Sequence, residues 1–247
     1  MGLVQEVLRL RESGLSMPTA VARARSHRLR LESSLFAGVR RSHPGLRVQV
    51  LSKPVLVALC RAMEDECCAE ADEPLLFGSF QRTRFYEASR SRWAELARTA
   101  RHAVAFADFA QGSTAPDLRA PLEVGVPAGS PLEREWVLVC DSAERPGCLV
   151  GWERPGDGRG GLFETFWSVD PEVVRDAARL CARLSERYLP GSRFPHWEDL
   201  ASTPPPASAQ TLRASALLDR MLGYLSVLDA GAPAWRVPNG ASDQVES

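Results

Sequence analysis

Cysteine and histidine pairs at metal-binding or redox spacing are missing from this sequence. Its six cysteines, Cys60, Cys67, Cys68, Cys140, Cys148 and Cys181, include no C-x-x-C pair, and its four histidines, at 27, 43, 102 and 196, lie far from them along the chain. Zinc sites are built from tightly spaced ligands, so no metal centre is expected and the cysteines read as buried, reduced thiols. Long apolar runs are missing too: no stretch approaches the ~20 residues of a membrane span. A charged helix beginning at Gln5 and Glu6 stands where a secretory signal would need an apolar core. A cytoplasmic protein with no membrane partner is expected. The formal net charge is only -1, which gives no global attraction to nucleic acid or acidic lipid. There is no internal repeat.

Catalytic signatures are equally scarce. Gly78-Ser79-Phe80 and Gly112-Ser113-Thr114 lack the strand-turn-helix pattern of a nucleophile elbow, and no histidine has the context of a general base. The glycine-rich stretch Gly156–Gly161 lacks the Lys-Ser/Thr pair of a phosphate loop and leads into a strand, so it reads as a hairpin turn. Glu64, Asp65 and Glu66 are adjacent on a helix, where neighbouring side chains point about 100° apart and do not converge on a metal. They read as a solvated face. The chain is not expected to be an enzyme, and its residues name no cofactor.

What is present is an ordinary globular composition, with 45% hydrophobic and 25% charged residues. The charge is uneven. Residues 1–43 hold eight arginines against three glutamates, a balance of +5 that leaves -6 for the remainder. This basic arm reads either as a functional surface or as a solvated helical face. Within it, residues 3–12 read as a helix stopped by Gly14. A second helix, capped by Ser16 and with Pro18 in its first turn, runs to about Arg40 and ends at His43-Pro44-Gly45.

Beyond the arm, helical spacing of Leu56, Leu59, Cys60, Met63 and Cys67 marks a helix capped by Ser52. A buried strand at 75–80, a helix at about 84–101 and a strand at 102–109 follow. Further strands are expected at 122–126, 135–140, 148–153 and 162–169. Asp170-Pro171-Glu172 opens another helix, since a capping carboxylate, a proline at the first helical position and an acidic residue suit its positive end. Ser202–Pro206 reads as a linker. Leu217, Leu218, Met221, Leu225 and Leu228 mark a last amphipathic helix, and the tail from 231 reads as disordered.

The ordered set at 51–66 (LSKPVLVALCRAMEDE), 75–81 (LLFGSFQ), 84–100 (RFYEASRSRWAELARTA) and 104–109 (VAFADF) resembles the DICT domain, a sensory module of diguanylate cyclases and two-component systems. The resemblance continues through 131–140, 148–153 and 163–178. It implies an α+β fold around a small, about four-stranded, mostly antiparallel sheet packed with helices and preceded by a helical pair, and it implies a signal-input role. No catalytic residue comes with it. Residues 6–25 (EVLRLRESGLSMPTAVARAR) resemble the second half of a MerR-type DNA-binding domain, and MerR-type regulators with a C-terminal DICT domain are a known architecture. Base readout needs a helix placed in the major groove by its neighbours. That unit would lie upstream of this segment, so the 247-residue chain alone is not expected to bind specific DNA.

The division expected is therefore a helical extension at 1–45, a sensory domain at 46–190, a Pro-rich linker at 191–206, an amphipathic helix at 207–230 and a tail at 231–247. The function expected is sensing linked to transcriptional regulation. The alternative is a non-catalytic module that docks a signalling protein without a small ligand. The C-terminal stripe could pair two copies into a homodimer. Candidate ligand-binding residues are Phe77, Phe80, Arg82, Phe85, Tyr86, Trp93, Phe106, Asp108, Trp152 and Trp167. Aromatics beside a few polar groups line small-molecule sites, and the same residues equally fill cores.

Overall fold

The computed structural model describes residues 3–23, 34–110, 120–155, 161–191 and 193–208, and residues 211, 215, 218, 219, 222 and 223. Helix α1 (Leu3–Glu12) and a helical stretch at 17–23 form the start of the chain, with Val7 and Ala20 buried against Leu10, Leu15 and Val21. The second helix does not run unbroken to Arg40. Ser34 is extended (φ -98°, ψ 118°) and its hydroxyl accepts the Ala37 N–H at 3.0 Å, opening a separate helix, α2 (Leu35–Ser42).

Among the described residues, seven strands form one sheet: β1 (Gln49–Ser52), β2 (Leu75–Ser79), β3 (His102–Ala107), β4 (Leu122–Gly125), β5 (Glu135–Asp141), β6 (Gly147–Glu153) and β7 (Leu162–Ser168), in the order β1-β7-β6-β5-β2-β3-β4. The pairings from β1 through β2 are antiparallel, whereas β2–β3 and β3–β4 are parallel. A parallel pair cannot be joined by a hairpin and needs a crossover. Between β2 and β3 two helices supply it, α4 (Thr83–Glu87) and α5 (Arg90–Thr99). The single helix foreseen at 84–101 is thus two, broken at Ala88-Ser89.

The small, four-stranded, mostly antiparallel sheet expected from the family resemblance is therefore wrong, although the α+β character holds. The sheet is larger because the six strands expected from residue 75 onward all join it and β1 adds a seventh at one edge, and it is mixed because the α4–α5 crossover returns the chain parallel. Both β2 and β5 are interior strands, and β2 is buried along its whole length. Apolar residues on both faces require a helical layer on each side.

Strand alternation divides the core accordingly. Leu75, Phe77, Val104, Phe106, Val137, Val139, Cys148, Val150 and Phe166 pack on one side against α2 and α6 (Pro171–Tyr188). Leu76, Ala103, Ala105, Leu138, Cys140, Leu149 and Phe163 pack on the other against α3 (Lys53–Met63) and α5. Helix α6 starts as its sequence dictates, with the Asp170 carboxylate accepting the Glu172 N–H and Pro171 at the first position. A short helix, α7 (Trp197–Ala201), closes the same side, with Phe194 and Leu200 buried. A core drawn from residue 46 onward omits α2, whose Leu35, Phe36 and Val39 are part of the first cluster. Of the C-terminal stripe, Leu217, Met221, Leu225 and Leu228 lie outside the described residues, as do the hairpin turn at 156–160 and the tail at 231–247; Leu218 is exposed. Among the described residues no helix is long and apolar enough to cross a membrane.

Helix α2 is fixed to the sheet by one carboxylate. Glu135, the first residue of β5, is fully buried and accepts from Ser34 Oγ at 2.5 Å, Leu35 N–H at 2.9 Å and Phe36 N–H at 3.4 Å. A helix N-terminus favours such a charge. Burial nevertheless dominates and pushes the acid up to about 7, with the three donors pulling the other way. The folded protein thus binds this proton more tightly than the unfolded chain, whose carboxyl titrates near 4.5. The stabilising contribution is complete below that value and is lost as pH rises towards about 7. Urea unfolding across this window should show wild type losing stability relative to Glu135→Gln, with the two curves parallel at higher pH. Curves parallel throughout would mean that Glu135 does not titrate there.

Candidate functional site

On the α3–α5 side of the sheet the packing leaves a cavity of about 200 Å³. Lys53, Val57, Cys60 and Arg61 line it from α3, and Glu64 from the single π turn (Glu64–Cys68) that comes next in the chain. These positions recur every three or four residues and so share one helix face. Phe85, Ala88, Ser89 and Trp93 enclose it from α4 and α5, while Ser79 and Phe80 at the end of β2 and Trp136 and Val137 on β5 complete it.

The aromatic walls stand at steep angles to one another. Phe80 meets Trp93 at 81° and Tyr86 at 67°, with ring centroids 5.1 Å apart in both cases. Trp93 can approach the sheet this closely because position 78 is glycine; a Cβ there would run into the six-membered ring of the indole. At the rim the Lys53 ammonium sits 4.1 Å from the centre of the Phe85 ring, a cation–π contact that Arg84 approaches from elsewhere at 4.8 Å.

Glu64 corrects the reading of the acidic run as a solvated face. Asp65 and Glu66 are exposed, but Glu64 is buried. Its carboxylate accepts from Arg92 Nε at 2.5 Å, Arg61 at 3.1 Å and Trp93 Nε1 at 3.2 Å. A buried charge needs such a set of donors. Two of them come from α5, so the acid ties the π turn to that helix and fixes the Trp93 ring. Burial, then the neighbouring Glu64 charge, push the Cys60 thiol up to about 12, which leaves it protonated and unreactive at neutral pH.

Three of the residues picked out in the sequence, Phe80, Phe85 and Trp93, line this cavity. Tyr86 packs behind them against Phe80 and Phe109. Trp167 belongs to the same side of the sheet without lining the cavity. Phe77 and Phe106 are buried on the opposite face, and Trp152 lies on that face beneath the Arg134 guanidinium. Arg82 and Asp108 do meet, at 3.4 Å, but in an open crevice with Thr83 and Arg84. Asp108 there accepts the Thr83 backbone N–H at 2.5 Å and the Thr83 hydroxyl at 2.9 Å, and the first of these contacts, with Arg82 beside it, holds its carboxyl below the usual range.

Lys53, Val57, Cys60, Arg61 and Glu64 did not stand out as candidates. A stripe at 53, 57, 60/61 and 64 was readable as one helix face, but nothing in it separates a cavity wall from ordinary core.

Residues 33–154 match the DICT family, described as the sensory domain in diguanylate cyclases and two-component systems. No curated protein and no solved structure matches the chain. The matched segment runs from the cap of α2 to the end of β6 and contains every residue that lines the cavity. The match supports a signal-input role.

Gly78→Ala should displace Trp93 and destabilise the fold by about 1–3 kcal/mol, as overpacking of a close-packed core does. The urea midpoint and the tryptophan emission spectrum check this together. An unchanged midpoint with unchanged emission would mean that the ring is not pressed on the strand.

Proposed function

We propose that this chain is a non-catalytic sensory protein whose signal is a small molecule held in the cavity between α3 and the α4–α5 pair. The observation that carries the reading is the cavity's composition. Aromatic walls and a few polar groups, with one buried carboxylate already tied down by three donors, are the makings of a binding site rather than of acid–base chemistry. The DICT match over 33–154, which describes sensory domains, supports the same reading.

Purified protein should retain a small molecule detectable by native mass spectrometry or absorption. Val57→Phe, which places a ring in the cavity, should release it while circular dichroism stays unchanged. Wild-type protein that carries nothing, and whose tryptophan emission does not respond to a metabolite extract, would overturn the proposal in favour of a docking module without ligand.

The output is transcriptional control in this reading. It rests on the +5 arm and on the resemblance of 6–25 to the second half of a MerR-type domain, within which α1 and the helical stretch at 17–23 both fall or overlap. The chain of 247 residues should bind duplex DNA only weakly, with an affinity that falls steeply with salt, because arginines that merely neutralise phosphates release counterions. A tight, sequence-specific footprint at physiological salt would show that this chain reads bases itself.

A further inference from the structure

The size, walls and charge of the cavity select among ligands, and the ligand class they point to rests on the sensory reading of this site. Its volume of about 200 Å³ lies below the roughly 300–1,000 Å³ of sites for drug-sized ligands. That leaves room for one ring or two fused rings and excludes a dinucleotide. The walls contributed by Phe80, Phe85, Trp93 and Trp136 favour a flat, polarisable body over a branched aliphatic one.

Charge decides the rest. One carboxylate and two cations line the cavity. Glu64 is already engaged: Arg61, Arg92 and Trp93 donate to it, so it has little left with which to hold a cationic ligand. Lys53 is the opposite case. Among the described residues its ammonium has no carboxylate partner and rests on the Phe85 ring. Arg61 uses one of its donors on Glu64 and is half-exposed at the same wall. The unspent charge at this site is therefore positive. It sits at the rim, while the apolar surface lies deeper.

We propose that the cavity binds a flat aromatic monoanion of one or two rings, its ring system against Trp93 and Phe80 and its acid group at the rim between Lys53 and Arg61. Binding of this kind is non-covalent and involves no bond change in protein or ligand.

Four probes of similar bulk separate the parts of the proposal: 2-naphthoate, the isosteric 2-naphthamide, 2-naphthylmethylammonium and the saturated decahydronaphthalene-2-carboxylate. Each is titrated into full-length protein by calorimetry and tryptophan emission. The expected result is that 2-naphthoate binds tightest, about tenfold better than 2-naphthamide, as a charge-assisted contact provides. Lys53→Met should abolish that tenfold preference while leaving amide binding in place, and Arg61→Met is the second variant should the first fail to fold. Amide or ammonium binding as tight as naphthoate overturns the anion. Decahydronaphthalene-2-carboxylate binding as tight as naphthoate overturns the flat ring. In both cases the sensory reading survives, because the cavity still takes a ligand. If the protein already holds a molecule as purified, its structure decides directly, and a cation or a non-planar compound overturns the proposal. If nothing is retained and none of the four binds, this inference falls; the sensory reading falls with it only if tryptophan emission also stays unmoved by the metabolite extract.

Discussion

All five residues of β2 are buried, and a strand with neither face in water obliges the sheet to carry a helical layer on each side. The rest of the molecule follows from meeting that demand. On one side α2 and α6 cover Phe77 and its neighbours. On the other, the crossover that returns the chain parallel to β2 supplies α5, whose Trp93 lies over Gly78. The strand with no solvent face is thus also the floor against which the cavity forms. The crossover is broken at Ala88-Ser89 into α4 and α5, and residues of both pieces and of the break itself, Phe85, Ala88, Ser89 and Trp93, line the cavity.

Two glutamates buried in this core each meet a set of donors. Glu64 and Glu135 are both buried, one on each side of the sheet, and each joins two elements that apolar packing alone would leave free to slide. Their environments differ in kind. Two guanidinium groups face Glu64, whereas Glu135 meets only a hydroxyl and two backbone N–H groups at a helix start. Neutral donors compensate burial less fully than cations do, and Glu135 is pushed towards neutrality.

Local signals were readable in the sequence wherever short-range chemistry settles the outcome. Asp170-Pro171-Glu172 states its helix start outright, and strand alternation alone puts Phe77 and Gly78 on opposite faces, as the structure does. What escaped depends on distant partners. The strand at Gln49–Ser52 is only four residues long and takes its identity from β7, more than a hundred positions away. Without it the strand pattern falls one short of the sheet, and the four-stranded sheet comes from the family resemblance, not from that pattern. Ser34 falls mid-helix by local spacing, but its hydroxyl donates to Glu135, 101 positions away. Glu64 looked solvated because Arg92 and Trp93, which bury it, come from another helix. Of the aromatics, Phe80 and Trp93 were separable from Phe77 and Phe106 by strand parity and helix face, but which face would hold a space was a property of the packed layers.

Neighbouring residues of a strand point to opposite faces, and β5 places the two most consequential of its side chains next to each other. Glu135 grips the start of α2 on one side, and Trp136 walls the cavity on the other. A single rigid peptide plane separates them. The strand is therefore a party wall shared by two tenants: whatever tilts it to suit one room moves the fixture hung on its far side.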